Sequence, residues 1–284
     1  MILVADSGSS KTDWMLKLPD SKALEFHTPG LNPYFLNENE ITKIIANTSA
    51  IQPYAAQVTE IYFFGAGCST PDKHETVSNG LSAFFKNAFI SVDSDSIGSA
   101  YATCGTGKGF SCVLGTGSNI AFFDGKNVIN GVHGLGYILG DEGSGTYYGK
   151  KLITDYMYGN MPDEVAQAFS SNYTVDHETI TKKLYQQPGG NLYLASFARF
   201  LSEVRTHEYT QNLLKNGFNE FIDTHILTYP DYHQHTFHFV GSIAWHFKDI
   251  LLTACKQKSV KVGKVLQKPI HELFEFIVKR EAAS

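Results

Sequence analysis

Apolar residues recur along the chain at two periods. Short runs rich in β-branched and aromatic residues predict strands over residues 2–5, 14–18, 24–27, 61–64, 90–92, 111–114, 120–123, 128–129, 236–240 and 260–265. Helical spacing predicts helices over 39–49, 74–86, 96–104, 144–158, 162–171, 176–186, 192–201, 204–227, 242–256 and 269–280. Hairpin strands come first and then alternate with helices. A second cluster of hairpin strands follows, then a long helical stretch, then strand and helix again. This is βββαβαβα, approximately twice, with a helical insertion in the second copy.

Two of the predicted hairpins carry unusual turns. Asp6-Ser7-Gly8-Ser9-Ser10-Lys11 follows the first strand of the first copy, and Leu114-Gly115-Thr116-Gly117-Ser118-Asn119 holds the same place in the second. A plain hairpin needs one or two residues of suitable backbone conformation, not this density of hydroxyls and charge. Glycine lets successive backbone N–H groups converge on one anion. Ser9, Ser10, Thr116 and Ser118 add hydroxyl donors, and Lys11 adds a point charge. Asp6, at a strand end, is placed to hold a hydrated Mg²⁺ that bridges phosphate oxygens. Either turn alone reads as an ordinary bend. Together, in matching strand contexts, they predict an α/β protein whose two similar lobes face each other across a central cleft and clamp a polyphosphate. The glycine-dense Gly105-Thr106-Gly107-Lys108-Gly109 sets the expected boundary, giving lobes over 1–107 and 108–284.

Composition narrows the function classes. A chain of 284 residues, 43% apolar and 18% charged, has ample core for a folded globule. Its formal net charge of −5 offers no basic footprint for nucleic acid. No apolar stretch approaches the roughly 20 residues that span a bilayer, and Asp6 interrupts the first apolar run before a signal-peptide core could form. Cys68, Cys104, Cys112 and Cys255 show no C-x-x-C spacing and read as reduced thiols of a cytoplasmic protein. Gly107-Lys108 is followed by Gly109, and the first-glycine position holds Ala102, so the P-loop pattern fails; no G-x-G-x-x-G opens a helix after a strand.

Four segments, Asp6-Ser-Gly-Ser-Ser-Lys-Thr-Asp13, Leu114-Gly-Thr-Gly-Ser-Asn119, Gly134-Leu-Gly-Tyr-Ile-Leu-Gly-Asp-Glu-Gly-Ser-Gly145 and Phe239-Val-Gly-Ser-Ile-Ala244, together resemble the successive signatures of the N-acetylglucosamine kinase-like group. That group belongs to the sugar kinase/Hsp70/actin ATPase superfamily and overlaps a broader family named after benzoyl-CoA reductase ATPases. The resemblance spans nearly the whole chain, and G-D-E-G-S-G is its most specific element. It implies two RNase H-like lobes with ATP and a sugar in the cleft. Gly8, Ser9, Ser10, Lys11 and Thr12 of the first loop and Gly115, Thr116 and Gly117 of the second would meet the phosphates, and Gly241 and Ser242 the adenosine. The resemblance further implies that Asp141 takes sugar hydroxyls, with close backbone approach at Gly143 and Gly145. Ser118 is expected near the sugar. Asn32 reads equally as a sugar ligand or as part of a proline-terminated turn, and Gly67 of the Gly65-Ala66-Gly67 turn is expected to line the cleft by its backbone. A homodimer through the second lobe is the family-level expectation.

Phosphoryl transfer to a sugar hydroxyl needs a proton acceptor. Asp93 and Asp95 follow a predicted strand, and Asp95-Ser-Ile-Gly-Ser99 matches the D-x-x-G-S pattern that carries the catalytic aspartate in related sugar kinases. Asp95 is therefore the expected base, with Asp93 or a purely helix-capping Asp95 as alternatives. The expected reaction is ATP- and Mg²⁺-dependent phosphorylation of a hexosamine, N-acetylglucosamine or glucosamine, at the 6-hydroxyl. A partner-activating ATPase and a non-catalytic sugar sensor are the rival readings. His233, His235 and His238 are expected on a surface loop and strand rather than at a metal, and the lysine-rich 256–268 stretch at a solvated strand edge.

Overall fold

The computed structural model describes the chain apart from Ser9, Ser21, Gly131, Val132, His133 and Ser284. It divides into two compact units, one of residues 1–107, 123–128 and 268–284 and one of 108–122 and 129–267.

The first unit is built on a five-stranded sheet in the order β3-β2-β1-β4-β5. Its strands are β1 (Ile2–Ser7), β2 (Lys11–Lys17), β3 (Ala23–Pro29), β4 (Glu60–Gly65) and β5 (Phe89–Ser94). β1, β2 and β3 pair antiparallel, whereas β1, β4 and β5 run parallel. Leu3, Val4 and Ala5 are all buried, because a central strand is covered on both faces. Trp14 is wholly buried, stacks on Phe26 and donates its indole N–H to Thr28 Oγ1 at 3.0 Å. The parallel register aligns Asp6 with Phe64 and Phe64 with Asp93. The carboxyl ends of β1, β4 and β5 thus lie side by side, the edge where open α/β sheets bind ligands.

The expected boundary assigned 268–284 to the second lobe, but the helix Ile270–Ala282 returns to the first unit. Ile270, Leu273 and Ile277 repeat at helical spacing and are fully buried. Phe276 stacks on Tyr101 at 4.8 Å, and the Arg280 guanidinium lies over the Tyr62 ring.

The second unit repeats the topology. Its sheet runs β10-β9-β6-β7-β8, with β6 (Gly109–Leu114), β7 (Ser118–Phe123), β8 (Val128–Asn130), β9 (Phe237–Val240) and β10 (Val262–Leu266). Each sheet, read from its own first strand, has the order 3-2-1-4-5 of an RNase H-like fold, as the duplicated pattern predicts. Within the lysine-rich 256–268 stretch, Val262–Leu266 forms β10 at a sheet edge, while Lys256 ends the preceding helix. Between β8 and β9 lies the helical insertion, whose core includes Tyr148, Phe169, Phe200, Phe218 and Phe221.

Four predicted helices are interrupted: 176–186 passes into the π turn Lys182–Gln186, and 192–201 holds the 3₁₀ turn Phe197–Arg199. The 204–227 stretch starts its helix only at Glu208 and ends in a π turn, Ile222–Ile226. The 242–256 stretch divides at Phe247, 1% exposed, which anchors the break in the core.

One close approach inside the insertion is decisive for stability. The helices Gly145–Met157 and Gly190–Ser196 meet so tightly that a Cβ on Gly149 would lie 1.9 Å from the Leu194 carbonyl oxygen. Backbone, not a flexible side chain, must give way. Gly149→Ala is expected to cost about 3 kcal/mol despite alanine's better helix propensity, measured as a fall in the urea midpoint.

Candidate active site

In the first unit the hairpin between β1 and β2 closes with the Gly8 N–H donating to the Lys11 carbonyl at 2.9 Å. Gly8 and Ser10 are exposed at the tip, while Ser9 lies outside the described residues. Thr12, expected among the phosphate ligands, is fully buried. Its hydroxyl is 2.8 Å from Ser7 Oγ and donates to the Pro29 carbonyl, and Ser7 Oγ in turn accepts the Leu31 N–H at 3.1 Å. Its inward strand position commits that hydroxyl to the hairpin, which corrects its expected role. Lys11 is half exposed and ion-paired to Asp13 Oδ1 at 2.8 Å. The same oxygen meets Lys268 Nζ at 3.1 Å and His27 Nδ1 at 3.0 Å. Burial pushes the Asp13 carboxyl up, but hydrogen bonds from Lys11 and Lys268 outweigh it and hold the group below the ordinary carboxylate range.

Asp6 lies one register pair from the hairpin turn, opposite Asp13. Burial raises its carboxyl to about 7, with the charges of Asp95 and Asp13 adding to the rise and Lys268 opposing it. Among the described residues it accepts no side-chain hydrogen bond. A hard oxygen donor beside two other carboxylates, with one opposing lysine, suits a hydrated divalent cation, so Mg²⁺ fits at Asp6.

Asp95 opens the helix Asp95–Cys104, and the cap is the preceding residue: Ser94 Oγ accepts the Ile97 N–H at 3.4 Å. The capping alternative for Asp95 therefore fails. Burial raises its carboxyl, and its own and the Ser96 backbone N–H groups pull it partly back. Gly98 lets this helix press onto β4, since a Cβ there would lie 2.7 Å from Phe64 Cβ. Asp93 is also raised by burial, with His74 and Arg280 opposing.

Asn32 and Gly67 meet. Asn32 is buried and its Oδ1 accepts the Tyr34 N–H at 2.9 Å. Gly67 has a left-handed φ of 82°, and a Cβ there would sit 2.5 Å from that same Oδ1. The turn thus makes room for the Asn32 amide.

In the second unit, Gly115, Thr116, Gly145 and Ser242 line one cavity of about 710 Å³, together with Arg199 and His246. The Gly115 and Thr116 carbonyls accept the Gly145 and Thr146 N–H groups at 2.8 and 2.9 Å, which docks the loop onto a helix N-terminus. Gly145 is thus a packing glycine: its N–H is committed, and a Cβ would lie 3.2 Å from both Gly115 O and Ala195 Cβ. Gly241, at φ 124°, would place a Cβ 2.4 Å from the Leu114 carbonyl. Only glycine lets the turn after β9 lie against the second loop.

Asp141 is buried and adopts φ 63°. Its carboxylate accepts the Ser118 N–H at 3.2 Å and the Thr146 hydroxyl at 3.1 Å. Gly117 leaves the room, because a Cβ there would lie 2.8 Å from Asp141 Oδ2. Burial lifts the carboxyl while Ser118 and Thr146 oppose the rise. Among the described residues Ser118 Oγ is buried with no hydrogen-bond partner.

No protein-family model and no curated protein sequence matches the chain. A solved Porphyromonas gingivalis protein, provisionally named an N-acetylglucosamine kinase, matches with a TM-score of 0.92 and 35% identity over 99% of this chain and 100% of its own. The chain belongs to the N-acetylglucosamine kinase-like family. A Chromobacterium violaceum protein provisionally given the same name shares the fold at TM-score 0.64, with 14% identity over 97% of this chain and 98% of its own. A Streptomyces griseus ROK family glucokinase, solved with glucose and AMPPNP, does so at TM-score 0.58, with 13% identity over 99% of each chain.

Membership of the N-acetylglucosamine kinase-like family accounts for the order of the loops but not for every residue around them. Sequence reasoning missed Asp13 as a charge hub, although its place two residues after Lys11 in a period-2 strand puts both side chains on one face. It missed Lys268, which is 255 positions from Asp13 and has no local signal. It also missed Arg199 and His246, exposed residues of the helical insertion and of the segment after β9. Among the described residues, the grouping with metal-ligand spacing is Asp13, Glu25 and His27, not the histidines of 233–238. Lys11 and Lys268 already neutralise its Asp13.

Proposed function

We propose that this protein transfers the γ-phosphoryl group of ATP to the 6-hydroxyl of a hexosamine, N-acetylglucosamine or glucosamine, in the cytoplasm. The observation that carries the reading is the pair of acids at the sheet edge of the first unit: Asp95 at the first turn of its helix, raised by burial, and Asp6 close enough to feel its charge. Phosphoryl transfer asks little covalent chemistry of a protein and much positioning. Asp95 accepts the 6-hydroxyl proton as that oxygen bonds to the γ-phosphorus and the bond to the ADP leaving oxygen breaks. A carboxyl raised above its ordinary range is a better base at neutral pH. Asp6 would hold the Mg²⁺ that accompanies ATP and neutralises charge on the β- and γ-phosphates.

The cavity lined by Gly115, Thr116, Ser242, Arg199 and His246 supports the nucleotide site. Its volume lies within the range of small-molecule pockets. Lys11 and Ser10 are the proposed phosphate ligands of the first loop. When Lys11 turns to phosphate, Lys268 keeps Asp13 compensated. Asp141, the orphan Ser118 hydroxyl and Asn32 are the proposed sugar ligands. A partner-activating ATPase that shares an iron–sulfur cluster fits less well. Cys68 is buried, and burial, followed by the charges of Asp95 and Asp93, pushes its thiol up to about 12. Cluster ligation needs thiolates.

A coupled ADP-release assay over hexoses and amino sugars tests the reading. N-acetylglucosamine or glucosamine is expected to stimulate release, and its 6-deoxy analogue to bind without doing so. Equal stimulation by the 6-deoxy analogue would place the acceptor elsewhere on the ring.

A further inference from the structure

The helix Glu208–Phe221 does not end as an α-helix but widens into the π turn Ile222–Ile226. One extra residue in a turn shifts the phase of the residues beyond it by roughly 100°. His225 lies within this π turn and meets Glu142, the residue after Asp141. His225 Nε2 donates to Glu142 Oε2 at 2.8 Å, with the two side chains only 7% and 16% exposed. The imidazole is braced by the Phe221 ring, whose centroid is 4.9 Å away. The same helix touches the turn one residue further on: a Cβ on Gly143 would lie 3.0 Å from Gly217 O and 3.2 Å from Phe221 Cβ. The backbone of the turn is therefore pressed on the helix at Gly143 and tied to it by a charged hydrogen bond at Glu142.

The tie bears on Asp141. A non-glycine residue at φ 63° is held against its own preference, at a cost of about 1 kcal/mol or more. Something outside the turn must over-determine that conformation. The Ser118 and Thr146 hydrogen bonds act on the Asp141 carboxylate; the His225–Glu142 contact acts on the next residue of the backbone. Other charges face the same region. Glu142 repels Asp141 and Lys150 attracts it, while Glu220 accepts the Tyr147 hydroxyl at 2.6 Å. Glu142 would add repulsion here without gain if it had no donor, so its pairing with His225 is what makes an acid tolerable beside Asp141.

We propose that His225 is a positioning residue for sugar binding. Through Glu142 it fixes the Asp141 turn in the left-handed conformation that points the carboxylate at Ser118. The inference rests on the reading of Asp141 as a sugar ligand. It predicts a selective effect: a turn displaced by even an ångström costs on the order of 10- to 100-fold in a positioned contact, while the proposed ATP contact at Ser242 lies outside the turn.

The test compares His225→Leu, His225→Gln, Glu142→Ala and Asp141→Asn by separate N-acetylglucosamine and ATP titrations, with thermal melts. His225→Leu and Glu142→Ala are expected to raise the sugar KM by roughly 10- to 100-fold, with the ATP KM and kcat changed by less than about threefold. His225→Gln keeps a side-chain N–H donor and is expected to recover most of the sugar affinity. The double variant is expected to be no worse than either single one. If His225→Leu does not fold, Glu142→Ala carries the same prediction from the other side of the contact. An unchanged sugar KM in Glu142→Ala, or a parallel loss of sugar and ATP affinity that Gln does not rescue, overturns the inference and leaves a structural ion pair. An unchanged sugar KM in Asp141→Asn instead overturns the sugar-ligand reading beneath it.

Discussion

Asp95→Asn is expected to reduce sugar-stimulated ATP turnover by about 10³- to 10⁴-fold while nucleotide affinity stays within about twofold. Asparagine keeps the size of the side chain and can still accept the Ser96 N–H, but it cannot take a proton from a hydroxyl. The helix start should survive, because its cap is Ser94 rather than Asp95. The loss therefore belongs to chemistry, and a coupled assay beside nucleotide calorimetry separates it from misfolding. Since burial raises the Asp95 carboxyl, the acid limb of the wild-type rate profile should lie above the ordinary carboxylate range, where protonation removes the base. Turnover left intact in Asp95→Asn would remove Asp95 from the mechanism and leave Asp93, half-buried beside it, as the acid to test.

Asp6→Asn is expected to do two opposite things. Turnover should fall by about 10³-fold, since the residue that would hold the phosphate-bridging cation is gone. Stability of the free protein at neutral pH should rise. The Asp6 carboxyl is lifted from 3.8 to about 7, first by burial and then by Asp95 and Asp13. The folded protein thus keeps a proton that the unfolded chain releases. The stability contribution of that protonated form is complete below the unfolded value and is lost as pH rises through about 7. A tenfold change in proton affinity is worth about 1.4 kcal/mol, and residual contact with solvent lowers the total to about 2 kcal/mol. Asp6→Asn should accordingly melt about 5 °C above wild type at pH 8, with the two converging toward pH 4. A variant that melts lower at pH 8 would show that Asp6 has a stabilising partner when ionised.

The two sheets were legible because their strands follow period-2 and fully apolar patterns bounded by turn chemistry, and because the pattern occurs twice. The ten strands among the described residues lie where those patterns predict, give or take their ends. The helices were less legible where tertiary packing overrides a continuous apolar period, as at Phe247, whose burial interrupts a helix the spacing would extend. The return of Ile270–Ala282 to the first unit is a long-range choice between two apolar faces, and local spacing carries no information about it.

At the candidate site, the glycines, Asp95 and Asp141 stand in contiguous motifs that mark them in the sequence, and their roles are those proposed above. Thr12 was misread because a hydroxyl beside a phosphate loop looks alike whether its strand points it inward or outward. One further residue of alternation separates the exposed Lys11 from the buried Thr12. The charge hub at Asp13 depends on Lys268, and the clamp at Glu142 depends on a π turn 83 residues away. Neither is written in any contiguous stretch.

The most direct measurement is the fate of labelled γ-phosphate from ATP, separated by chromatography after incubation with and without N-acetylglucosamine or glucosamine. Label is expected on the sugar, one phosphate per ADP formed, with little inorganic phosphate when sugar is absent. Label recovered only as inorganic phosphate, at a rate indifferent to every amino sugar offered, would contradict sugar kinase activity and return the protein to the class of partner-driving ATPases.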